Sequence, residues 1–137
     1  MYYALIKSEF YVEVEKRYDE KYLFCDLFVK NKNQDDKDGV WLEIALWHEE
    51  SQPKQIGKVV TDYYKLVTYQ KKGAVLLFCA INTDHEGYRD KDINDLWNPW
   101  FDKLKECLGE DRVKDCKGPK CPDQSGGKFK ICVIKNL

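Results

Sequence analysis

The sequence predicts a mainly β fold: an antiparallel meander curled into a barrel or half-barrel, with one C-terminal α-helix packed outside and a final strand. Three observations carry this expectation. Apolar and polar residues alternate through much of the first 82 positions, short polar breaks separate the alternating runs, and a clear helical period enters between Asn98 and Gly109. At 137 residues the chain is expected to form a single domain spanning 1–137.

From Tyr2 to Lys16, Tyr2, Ala4, Ile6, Phe10, Val12 and Val14 face Lys7, Glu9, Glu13 and Glu15 across a long half-exposed strand. Asp19 and Glu20 make a turn. Tyr22 to Lys30 is a second strand, with Leu23, Cys25, Leu27 and Val29 opposite Tyr22, Phe24, Asp26 and Phe28, so that both faces carry bulk. Asn31 to Gly39 is a charged loop. Val40 to His48 follows as a third strand, aliphatic on one face and lined by Trp41, Glu43, Ala45 and Trp47 on the other. After the Ser51-Gln52-Pro53 break, Lys58 to Gln70 reads as a strand with a turn at Asp62. Lys71-Lys72-Gly73 then makes a hairpin connection into the nearly all-apolar strand Ala74 to Asn82.

Asn98 as N-cap, Pro99 at the first helical position and Gly109 as the stop define a helix over Pro99–Leu108. Trp100, Phe101, Leu104 and Leu108 form its apolar face, and Ile93, Leu96 and Trp97 form a preceding turn. The segment Cys116 to Gly127 is rich in Pro, Gly and Lys and reads as irregular, before a final strand from Lys128 to Lys135. Strands apolar on both faces favour a sheet that curls around an interior.

Composition narrows the partners. Lys and Arg total 23 against 24 Asp and Glu, a formal net charge of −1, so no overall positive field gathers nucleic acid or an anionic membrane. No run approaches the roughly 20 apolar residues that span a bilayer. Six cysteines, Cys25, Cys79, Cys107, Cys116, Cys121 and Cys132, match a disulfide framework of open connectivity and imply a secreted, extracellular protein in its mature form. No C-x-x-C pair occurs and His48 and His85 are far apart, so neither a metal site nor a cofactor is expected.

Thr61-Asp62-Tyr63 leading into Leu66-Val67-Thr68-Tyr69, the hairpin into Leu76-Leu77-Phe78-Cys79, the late helix and the cysteine-bearing tail together resemble the lipocalins. More loosely, Tyr2-Tyr3 and Cys25 are similar to features of the salivary lipocalins of ticks and other blood feeders. The resemblance implies a β-barrel and sequestration of a small ligand, with acidic and aromatic side chains holding amines. Its opening G-x-W is out of place here, because Gly39-Val40-Trp41 comes too late. Another α+β sheet with a helix laid across it, of the cystatin-like kind, is the alternative fold, although cystatin's own motifs are absent.

Trp41, Glu43 and Trp47 suit a cationic amine, since aromatic faces attract ammonium and a desolvated carboxylate pairs with it. Phe24, Asp26 and Tyr64 are further candidates under the same logic, and Asp62 reads as a turn former. The bland reading of the tryptophans is ordinary core. His48 and His85 lack a nucleophile arrangement, so an enzyme is not expected. The expected function is therefore sequestration of a small amine or lipid in an aromatic-lined cavity. The alternative is a small secreted inhibitor or interaction module that binds another protein through its outer surface.

Overall fold

A computed structural model describes residues 9–19, 22–48, 55–82, 93–116 and 127–136. The strands are β1 (Phe10–Arg17), β2 (Phe24–Asn31), β3 (Val40–His48), β4 (Gly73–Asn82), β5 (Val113–Cys116) and β6 (Gly127–Asn136). Among the described residues two helices interrupt them, α1 (Gln55–Thr68) between β3 and β4 and α2 (Ile93–Leu108) between β4 and β5. All six strands join one sheet in the order β1-β2-β3-β4-β6-β5, five of them long and β5 only four residues.

This is an α/β fold, which corrects the expected barrel. β1, β2 and β3 are an antiparallel meander, but α1 carries the chain back so that β4 runs parallel to β3, with Trp41 opposite Gly73 and His48 opposite Ala80. β6 then pairs antiparallel with β4 along its whole length, and β5 pairs with β6. The sheet stays open, with β1 and β5 at opposite edges. Strands apolar on both faces are what a central strand of an α/β sheet requires, and here they do not signal curling.

The second correction is α1, which covers the segment read as a strand and which holds the supposed T-D-Y turn within a helix. Val, Thr and Tyr give the segment β propensity, but the buried positions are Val59, Asp62, Tyr63 and Leu66, at helical spacing. The helix ends in a Schellman motif: Gln70 is left-handed (φ 54°), its N–H reaches Val67 O at 3.1 Å, and Lys71 N–H reaches Leu66 O at 2.9 Å. α2 begins earlier than the proline signal implied, and it accommodates Pro99 in its interior, so the Asp95 carbonyl lacks the usual i+4 N–H. Gly109 (φ 94°) stops it as expected, donating its N–H to Lys105 O at 2.8 Å.

Both helices pack on one face of the sheet. Val59, Tyr63 and Leu66 from α1 and Trp97, Phe101, Leu104 and Leu108 from α2 share one buried cluster with Trp41, Trp47, Val75, Leu77 and Ile134. Each large apolar side chain so buried contributes roughly 1.5–3 kcal/mol.

The expected disulfide framework is not formed among the described residues: Cys25, Cys79 and Cys132 are buried, Cys107 is exposed, and none is cross-linked. Cys25 and Cys79 lie on strands separated by β3, about 10 Å apart at normal strand spacing and beyond a disulfide's reach. Cys79 sits opposite Lys130 and Cys132 opposite Leu77, a diagonal of about 7–8 Å that also exceeds it. The Cys116 side chain and Cys121 lie outside what is described, as do Tyr2, Tyr3 and His85.

Candidate functional site

The alternation of β3 places Trp41, Glu43 and Trp47 on one face, the one covered by the helices. Trp41 and Trp47 pack in separate aromatic clusters. Trp41 stacks on Tyr18 (centroids 5.0 Å) and meets Phe28 edge-on (5.2 Å). Trp47, six residues and about 20 Å further along the strand, packs on Trp97 (5.6 Å) and Phe101 (5.8 Å). Between them Glu43, 2% exposed, accepts the Tyr18 hydroxyl at 2.8 Å and pairs with Lys65 at 3.0 Å.

The Glu43 pair belongs to a chain of charges. Lys65 also reaches Asp62 at 3.1 Å, and Lys58 closes on the other Asp62 oxygen at 2.7 Å and on Ile44 O at 3.1 Å. Asp62 is thus a helix residue in an ion-pair network rather than a turn former. Desolvation pushes the Glu43 carboxyl above its ordinary value even though Tyr18 and Lys65 pull the other way. For Lys65 burial works against the charge, but the bonds to Glu43 and Asp62 prevail and raise it. Burial likewise pushes the Cys25 thiol up to about 11, and its Sγ lies 3.2 Å from Leu42 O.

The remaining sequence candidates stand apart from one another. The Asp26 carboxylate accepts Ile44 N–H at 2.7 Å, replacing a ladder partner where the pairing of β2 with β3 stops at Leu27 and Leu42. Phe24 is exposed on β2 with the Arg17 guanidinium 5.7 Å from its ring. Tyr64 is exposed on the outer side of α1.

A concave site lies elsewhere, at the end of the sheet where β1 finishes and β3 and β4 begin. A cleft of about 450 Å³ is lined by Lys16, Arg17, Asp19, Asp36, Lys37, Gly39, Trp41, Gln70, Lys71 and Lys72. Three connections build it: the exit of β1, the short 3₁₀ turn Asp36–Asp38 before β3, and the Schellman end of α1. Asn136 Nδ2 donates to Lys71 O at 2.9 Å, and Trp41 N–H donates to Lys72 O at 2.9 Å, so the lysine turn is fixed to the sheet on both sides. Gly39 is required where it stands, because a side chain there would enter the Phe28 ring.

Five cations face two carboxylates in this cleft. Asp36 is bound by Lys30 at 2.7 Å and Lys16 at 3.5 Å, and the Lys30 bond holds its carboxyl below the usual range. Asp19 is met by Lys71 at 3.5 Å. Arg17, Lys37 and Lys72 have no ion-pair partner among the described residues, so the cleft carries a surplus of positive charge. Lys71 Nζ lies 4.8 Å from the Trp41 ring centre and Lys16 Nζ 5.7 Å from it, so Trp41 is already engaged by cations.

Sequence reasoning missed this site because its residues span positions 16 to 72 and meet only through strand register. The readable signal was the pair of basic doublets, Lys16-Arg17 and Lys71-Lys72, each at the end of an element. Among the described residues no cluster of three or more His, Cys, Asp or Glu side chains could hold a metal, and no helix is long and apolar enough to cross a membrane. No known protein family, curated protein or solved structure matches this chain.

Proposed function

We propose that this chain is a small-ligand-binding protein whose ligand is a compact multivalent anion, a polyphosphate or polycarboxylate, held in the cleft around Trp41. The observation that carries the reading is the surplus of Arg17, Lys37 and Lys72 around a cavity whose two carboxylates are already paired. Cations fixed in a concavity bind anionic oxygens through charge-assisted hydrogen bonds, and the focused field concentrates such ligands despite a formal net charge of −1. Cations next to Trp41 favour a ligand recognised by its charges over one stacked by a ring. The aromatic cup expected for an amine or a lipid has less support, since the side chains offered for it are occupied by one another and by the helices.

Titration of tryptophan fluorescence and calorimetry with tripolyphosphate and citrate test this, with histamine, serotonin and a fatty acid as the competing class. Saturable anion binding is expected, weakening with salt and falling at least tenfold in Lys37→Glu and Lys72→Glu. Anion binding unchanged in both variants, or saturation by an amine or fatty acid alone, overturns the proposal.

A further inference from the structure

The sheet face opposite the helices is apolar at its centre, with Lys135 beside Ala74 towards one end. Register places Val14, Leu27, Leu42, Leu76 and Val133 across β1, β2, β3, β4 and β6 on this side, and Leu46 and Phe78 extend it along β3 and β4. A solvated antiparallel face alternates polar residues outward, and this one does not. Leu46 is 54% exposed and Val14 52%, while Leu42, Leu76, Phe78 and Val133 are half-buried and Leu27 is buried. Among the described residues both helices lie on the other face.

We propose that this face binds a second copy of the same chain, the two sheets stacking about a two-fold axis. Such an interface pairs a patch with itself, which suits a mainly apolar surface and disfavours a partner chosen by charge complementarity. The dimensions agree. Five long strands at about 4.8 Å spacing and about 30 Å length present roughly 700 Å² per copy, which falls within the range of stable interfaces. The face is separate from the cationic cleft, so this assembly and ligand binding stand or fall independently.

Sedimentation velocity and light scattering from about 1 to 100 µM test the proposal. The expected result is a mass near twice 16.2 kDa, reverting to 16.2 kDa in Leu46→Lys and in Val14→Lys. Both residues are exposed in the single chain, so the variants should keep the wild-type far-UV circular dichroism. Lys72→Glu should leave the dimer intact. A wild-type protein monomeric at 100 µM, or a dimer that persists in both surface variants, overturns the inference.

Discussion

At the scale of single residues, Glu43 shows why a buried acid beside tryptophans need not await a ligand. Its charge is answered within the fold by Tyr18 and Lys65, and the arrangement is more costly to break than to replace. Lys65→Met should destabilise the protein by about 3–5 kcal/mol at pH 7.5, and by a fraction of that in a Glu43→Gln background, as read by urea unfolding of the double-mutant cycle. The pH dependence has a definite sign. Because the folded Glu43 carboxyl holds its proton to higher pH than the unfolded one, its contribution to stability falls as pH rises from its ordinary 4.5 through the raised value. The stability difference between wild type and Glu43→Gln should therefore shift against the wild type as pH rises above 4.5. A constant difference would show that this carboxyl is not perturbed. Lys65 acts at the other end: what its partners contribute is complete below its ordinary 10.5 and is lost only as pH climbs through its raised value.

Among the elements, the parallel pairing of β3 with β4 separates this fold from the expected meander, and one glycine permits it. A side chain at Gly73 would stand against the Trp41 carbonyl, which is backbone and cannot move aside without opening the ladder. Gly73→Ala should cost at least about 2 kcal/mol and lower the thermal midpoint, whereas Gly57→Ala, with open space around it, should not destabilise. β2, β3, β4 and the last strand were legible from alternation and turn residues to within a residue or two. α1 was not, because its Val, Thr and Tyr residues favour a strand locally, and only the spacing of Val59, Tyr63 and Leu66 argued otherwise. The shared face of Trp41, Glu43 and Trp47 was also legible, since two-residue periodicity alone determines it. Whether that face bounded a void depended on α1 and α2, whose placement no local pattern encodes. At the sheet edge, β1 carries Glu13, Glu15, Lys16 and Arg17, and Glu15 turns left-handed (φ 55°), so the strand is charged and twisted against unwanted pairing.

For the molecule as a whole, two aromatic clusters under two helices supply the core that a cross-linked framework was expected to supply. Secretion inferred from six cysteines thus gains no support from pairing among Cys25, Cys79, Cys107 and Cys132. Alkylation of the native protein followed by peptide mapping should label Cys107 rapidly and Cys25 barely, because Cys25 is buried with its thiol near 11. Unfolding without a reductant should then make Cys25 reactive; labelling of Cys25 only after reduction would contradict the structure. The order of strands has one more consequence, for synthesis on the ribosome. β6 fills the gap between β4 and β5, and its pairing joins Gly73 to Asn136. Such distant contacts form late. Until residues up to Asn136 have emerged, the nascent chain presents the open edge of its most apolar strand, the state in which a growing polypeptide most needs a chaperone.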